Sequence, residues 1–245
     1  MSTFVLVHGA GHGAWCWHKL VPELEARGHR VVTLDLPGLG DDKTPVAEVT
    51  YERTIDRVVE TVSREAEPVV LVGHSLGGVS ISATAEAIPD RIRLLVYLAA
   101  FLPVDGDSIT SIYESPDWPR ETATMPPIRS ADGLAMSHTP EGARERFYQD
   151  CSEEDVAYAI ARLKPQPMVM RNTPVRLSPE RFGRVPRAYI ICLNDQAAPP
   201  ERQRRMVARS PCKIVVSLPT GHSPFLSAPS LLADTLIEAA EASGG

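Results

Sequence analysis

The stretch Glu67-Pro-Val-Val-Leu-Val-Gly-His-Ser-Leu-Gly-Gly78 limits what this chain can fold into more than any other. Val69 to Val72 is a short, wholly apolar and mostly β-branched run, the pattern of a strand buried on both faces of a parallel sheet. Gly73-His74-Ser75-Leu76-Gly77 follows at once, and helix formers run on from Ser80 to Ala87. Strand, tight turn and helix in that order make a bare G-x-S-x-G match into a nucleophile elbow, with a serine lifted above the sheet edge. A side chain in place of either glycine would crowd so sharp a turn. The helix behind Ser75 aims its free N–H groups and positive dipole end at negative charge developing there.

Around this stretch the chain alternates strand and helix. Phe4 to Val7 reads as the first buried strand and ends at His8-Gly9-Ala10-Gly11-His12-Gly13. A helix is expected over Trp15 to Ala26, with Trp17, Leu20, Val21 and Leu24 inward and Gly28 as its stop. Val31 to Leu34, Leu94 to Ala99, Ala188 to Leu193 and Lys213 to Ser217 are the other strand candidates besides the elbow strand. Helices are expected over Tyr51 to Arg64, around Glu201 to Ala208, and from about Pro229 to Ala242. This alternation defines an α/β fold, a mainly parallel sheet with helices on both faces.

One section breaks the pattern. Residues 103–186 hold 11 of the 22 prolines, carry no convincing buried strand and include one clear helical stretch, Glu153 to Leu163. Met125, Leu134, Met136, Phe147, Ile160 and Met168 give it more apolar side chains than a disordered loop favours. An insertion placed after a strand at the carboxyl edge lies over the position where open α/β sheets bind ligands. The expected organisation is a core of residues 1–102 and 187–245 under a mostly helical cap insertion of residues 103–186.

Composition excludes several classes. The net charge of −6 disfavours nucleic acid, whose phosphates require a basic face. The densest basic cluster, Arg202, Arg204 and Arg205, is expected on a solvated helix face. No apolar run approaches a bilayer span, and the opening residues have no basic and apolar leader. Cys16, Cys151, Cys192 and Cys212 show neither paired nor metal-type spacing, which fits reduced thiols in a cytoplasmic protein. No metal or cofactor is expected, because the glycines from Gly9 to Gly13 lack dinucleotide spacing and the later acidic residue. The expected partner is a small-molecule substrate, with no nucleic acid and no membrane; association as a homodimer is left open.

Three further positions complete a constellation with Ser75. His222, in Pro219-Thr-Gly-His-Ser-Pro-Phe225, follows the last strand and is placed to take the Ser75 proton as general base. Asp195, in Cys192-Leu-Asn-Asp-Gln-Ala197, follows a strand and is placed to hold the imidazole tautomer and stabilise the imidazolium. The order Ser75, Asp195, His222 is that of an α/β-hydrolase triad. Asp105 is the alternate acid. The oxyanion hole is expected from the N–H groups of Leu76 and Ala10, with Gly9 and Gly11 admitting close backbone approach. His8 and His12 are expected to brace that loop.

Phe4-Val-Leu-Val-His-Gly-Ala-Gly-His-Gly-Ala-Trp-Cys-Trp17, the elbow, Tyr97-Leu-Ala-Ala-Phe-Leu-Pro103, Phe147-Tyr-Gln-Asp-Cys151, Leu163-Lys-Pro-Gln-Pro167 and Gly221-His-Ser-Pro-Phe-Leu-Ser227 resemble one family. It is the α/β-hydrolase subgroup of plant methyl esterases and α-hydroxynitrile lyases. The resemblance implies a cofactor-free enzyme with Ser75, Asp195 and His222 as its triad and a cap over an apolar pocket. The S-selective lyases of that subgroup have threonine in the first oxyanion loop and lysine after the catalytic histidine. This chain has Gly9 and Ser223 there, so the resemblance falls on the esterase side.

The expected activity is hydrolysis of a small-molecule carboxylic ester through an acyl-enzyme on Ser75. The alternatives are a lyase, cyclase or eliminating enzyme using the same triad, and a ligand-binding protein on a hydrolase scaffold. An aspartate nucleophile, as in epoxide or haloalkane hydrolases, is disfavoured by Ser75 itself.

Overall fold

The computed structural model describes residues 1–115, 118 and 124–244. Six strands form the central sheet: β1 (Thr3–Val7), β2 (Arg30–Thr33), β3 (Val69–His74), β4 (Ile92–Leu98), β8 (Arg187–Cys192) and β9 (Ile214–Leu218). Their order is β2-β1-β3-β4-β8-β9, and every neighbouring pair is parallel. Successive side chains of a strand point to opposite faces, so each apolar run feeds two cores. Val5, Val7, Leu71, Leu95 and Tyr97 pack on one face with α2 (Tyr51–Ser63), α3 (Gly77–Ala87) and α8 (Pro200–Arg209). Phe4, Leu6, Val72, Val96 and Leu98 pack on the other with α1 (Leu20–Ala26), the short α9 (Pro224–Ser227) and α10 (Pro229–Ala242).

Most elements begin and end within a residue or two of the expected positions. Helix α2 starts where Thr50 accepts a hydrogen bond from the Arg53 N–H at 3.1 Å, a side-chain N-cap. The first helix differs. The expected span from Trp15 splits into a single 3-10 turn at Ala14–Trp17 and then α1 from Leu20. Pro22 is the cause: proline is tolerated in a helix's first turn but not in its interior, so the α-helix has to begin just before it.

The section 103–186 contains α4 (Ile109–Glu114), β5 (Ile128–Arg129), β6 (Ala135–Ser137), α5 (Pro140–Phe147), α6 (Glu153–Ile160), β7 (Gln166–Pro167) and α7 (Val169–Asn172). Residues 116, 117 and 119–123 of the expected cap lie outside the described residues. The absence of a buried strand was a wrong expectation: β5, β6 and β7 form a small antiparallel sheet, and Ala135, Met136, Gln166 and Pro167 are buried. Strands of two or three residues are too short to show an alternating pattern.

Arg202 corrects a second expectation. Arg204 and Arg205 are exposed, but Arg202 is 1% exposed and its guanidinium lies 4.4 Å over the Tyr113 ring. Its aliphatic stem and planar head let arginine enter a core where an aromatic face receives it.

The elbow is the tightest point of the fold. A Cβ on Gly77 would stand 2.8 Å from the carbonyl oxygens of Val7 and His8, and one on Gly78 would stand 2.0 Å from that of Phe101. Backbone atoms have no rotamer by which to yield, so α3 is seated here only because these residues lack side chains. Gly78→Ala is expected to destabilise the protein by about 3 kcal/mol, lowering Tm by roughly 5–10 °C in a thermal melt. An unchanged Tm would contradict this packing.

Candidate active site

Ser75 occupies the turn between β3 and α3 with φ 52°, a left-handed conformation that residues other than glycine rarely adopt. The turn is fixed from both sides. The Ser75 N–H donates to Leu98 O at 3.1 Å, and its carbonyl accepts from Gly78 N at 3.1 Å and Phe101 N at 3.0 Å.

Asp195 and His222 meet although 27 residues separate them, because their loops leave the adjacent strands β8 and β9. His222 Nδ1 is 2.7 Å from Asp195 Oδ2, and both side chains are at most 1% exposed. The Asp195 carboxylate is held further by Ala197 N and Ala198 N, each donating to Oδ1 at 2.8 Å, and by Gln203 Nε2 donating to Oδ2 at 3.2 Å. With Nδ1–H committed to the carboxylate, Nε2 is the nitrogen left for chemistry. Ser75 and His222 border one cavity of about 250 Å³, whose wall also includes Ala10 and Leu76. Among the described residues, neither the Ala10 nor the Leu76 N–H donates to a backbone carbonyl outside helices and strands, and Leu76 is the N-cap of α3. The geometry thus gathers a serine, a carboxylate-oriented imidazole and two available backbone donors. Such a set can move a proton from an attacking hydroxyl and stabilise an oxyanion.

The alternate acid, Asp105, is elsewhere: it is exposed and accepts from Leu177 N at 2.9 Å. His8 and His12 brace the loop after β1. His8 Nδ1–H donates to Gly9 O at 2.9 Å while Nε2 accepts from Leu36 N at 3.1 Å. His12 Nδ1–H donates to Ala10 O at 2.8 Å, and its Nε2 accepts from the Tyr148 hydroxyl at 2.7 Å.

Several supporting residues carry no signal of their own in the sequence. His74 Nε2–H donates to His222 O at 2.9 Å. Asp150 Oδ2 accepts from Gly221 N at 2.6 Å, and Gln149 Nε2 donates to Asn194 O at 2.7 Å, so two consecutive residues pin the loops of both His222 and Asp195. Gln166 Oε1 accepts from Gly11 N at 2.9 Å. Gln149, Asp150 and Gln166 stand in motifs that carried the family resemblance, and only that could have pointed to them. Nothing pointed to Gln203.

Among the described residues no group of three or more His, Cys, Asp or Glu side chains could hold a metal ion. No helix among them is long and apolar enough to cross a membrane.

A family model described as the alpha/beta hydrolase family matches residues 4–235, and the chain belongs to that family. Methylesterase 1 of Arabidopsis thaliana is 34% identical over 97% of this chain and 95% of its own length. Salicylic acid-binding protein 2 of Nicotiana tabacum is 34% identical over 97% of this chain and 96% of its own length. Among solved structures, a pyrethroid hydrolase from Sphingobium faniae JZ-2 superposes with a TM-score of 0.87 at 33% identity, covering 98% of each chain. Polyneuridine aldehyde esterase gives a TM-score of 0.87 at 30% identity, covering 98% of this chain and 99% of its own.

The supporting histidines give the fold a pH dependence. Burial, the largest cause in each case, lowers the pKa of His8 and His74, and lowers that of His12 from 6.5 to about 3. The unfolded chain takes up these protons below about 6.5 and the folded chain resists them. Their contribution is therefore complete above pH 6.5 and is lost as pH falls towards the depressed values. Urea unfolding between about pH 6.5 and 5, above the carboxylate range, is expected to show stability falling by up to about 1.4 kcal/mol per pH unit per histidine. His12→Gln should remove about one histidine's share of that slope. A flat profile in the native protein would contradict neutral burial.

Proposed function

We propose that the protein hydrolyses a small-molecule carboxylic ester, with Ser75 as nucleophile, His222 as general base and acid, and Asp195 as the orienting carboxylate. The observation that carries this reading is the 2.7 Å contact of His222 Nδ1 with buried Asp195, made on the wall of the cavity that Ser75 also borders. Ser75 Oγ attacks the ester carbonyl while His222 Nε2 takes its proton. The tetrahedral oxyanion is held by the N–H groups of Ala10 and Leu76, and the N-terminus of α3 adds its dipole. His222 then protonates the departing alcohol, leaving an acyl group on Ser75. A water deprotonated by His222 attacks that acyl-enzyme, and collapse of the second intermediate releases the acid and restores the Ser75 hydroxyl.

The esterase relatives favour this chemistry over the lyase, cyclase or eliminating alternatives, and the space around Gly9 agrees. A Cβ there would lie 2.8 Å from His74 Nδ1 and 2.9 Å from Ser75 Cβ, leaving no room for the threonine of a hydroxynitrile lyase. Ser223 is fully buried where such a lyase has lysine. Residues 103–186 serve as a cap in this reading, and their Ile109, Met136 and Phe147 line the cavity that Ser75 borders. The four free cysteines suit a reducing, cytoplasmic setting.

With p-nitrophenyl esters, Ser75→Ala and His222→Ala are each expected to lower kcat by about 10³-fold or more, and the double variant by little beyond either single one. Far-UV circular dichroism should stay native. Ester turnover at the native rate in Ser75→Ala would overturn the assignment.

A further inference from the structure

The cavity that holds Ser75 and His222 is apolar over much of its wall, but two arginines, Arg146 and Arg171, also border it. The triad as described has no use for either. Arg171 lies in α7, and its guanidinium sits 4.9 Å over the Tyr113 ring, whose other cationic neighbour is the buried Arg202 at 4.4 Å. Arg171 Nε is buried and has no hydrogen-bond partner among the described residues. Arg171 also takes part in none of the ion pairs among them. The one carboxylate of the triad cannot serve, because both oxygens of Asp195 are filled by His222, Ala197, Ala198 and Gln203.

Arg171 thus stands on the wall of a largely apolar cavity with no carboxylate partner among the described residues, a charge that an entering anion would pair. A carboxylate accepting from the two terminal nitrogens of Arg171 meets the forked geometry that guanidinium groups favour. The face of the Tyr113 ring lies under the guanidinium and supports it there. Arg171 and Ser75 border the same cavity, and packed residues link them. The Tyr113 ring is 5.7 Å from the Phe101 ring, and Phe101 N–H donates to the Ser75 carbonyl. A second hollow of about 150 Å³ shares Ala10, Met136, His138 and Phe147 with the first, leaving room for the other half of an ester.

Resting on the ester-hydrolase reading, we infer that the substrate is an ester carrying a carboxylate of its own, seated on Arg171 while the ester carbonyl faces Ser75. The anion belongs either to the acid half, as in a half-ester of a short dicarboxylic acid, or to the alcohol half.

Two pairs of probes separate these sources. The acid-half pair is p-nitrophenyl hemiglutarate against p-nitrophenyl valerate, and the alcohol-half pair is 4-acetoxybutyrate against 4-methylpentyl acetate. In one pair, kcat/KM is expected to favour the anionic ester by about 10- to 100-fold, chiefly through KM. Arg171→Met should abolish that preference, and Arg171→Lys should keep part of it, since lysine retains the charge without the fork. A purely structural arginine would alter both members of each pair alike. No anionic preference in either pair, or a preference that survives Arg171→Met, overturns the inference.

A binding measurement distinguishes failure of the carboxylate site from failure of ester hydrolysis. Calorimetry with monomethyl glutarate (for the acid half) and 4-acetoxybutyrate (for the alcohol half) on Ser75→Ala protein should show one of them bound. Adding Arg171→Met should weaken it about 10- to 100-fold. Binding without any turnover by the native enzyme would sink the hydrolase reading and leave the carboxylate site standing. Binding of neither compound, or equal binding with and without Arg171, would sink the carboxylate site.

Discussion

Everything in this molecule is subordinate to the backbone at Ser75. A residue with a side chain is held at φ 52°, and the strain is tolerated because hydrogen bonds to Leu98 and from Gly78 and Phe101 leave the turn no alternative. Those partners come from the end of β4, the start of α3 and the chain entering the 103–186 section. Gly77 and Gly78 allow α3 to lie against the carbonyls of Val7, His8 and Phe101. Strand order β1-β3-β4 is thus more than a packing solution. It brings the three segments together whose backbone atoms define one serine.

The second layer of order is a set of polar contacts around the loops at the sheet edge. Each loop is held by a residue distant in sequence: Gly11 by Gln166, Gly221 by Asp150, Asn194 by Gln149, and the His222 carbonyl by His74. Three of those four residues lie in the 103–186 section. The section that borders the cavity therefore also sets the positions of the loops beneath it. Pre-organisation of this kind is what allows donors to match charge that appears only in a transition state. It also makes the neutral histidines necessary, since a charged imidazole at His12 or His74 would face a dry interior.

Much of this was legible in the sequence, for identifiable reasons. The strands of the sheet are buried on both faces, so β1, β3, β4 and β8 read as unbroken apolar runs. Ser75, Asp195 and His222 stand directly after strands, where the topology brings loops to a single edge. Ala10 and Leu76, expected beside Ser75 from the same placement, both border its cavity. What was not legible depends on contacts between distant segments. The strands β5 to β7 have no periodicity of their own and exist through pairing. Arg202 looks like a surface residue until Tyr113 is placed beneath it. Gln203 supports Asp195 only because α8 turns back towards the end of β8. The division of the first helix was readable in principle, because Pro22 marked it.

In the proposed mechanism Ser75 carries the acyl group covalently between the two half-reactions. The most direct test is intact-protein mass spectrometry on acid-quenched samples taken during turnover of an activated ester. The expected result is a transient mass increase equal to the acyl group, mapping by peptide digestion to Ser75 and decaying as substrate runs out. Rapid turnover with the acyl group found on another residue would contradict it.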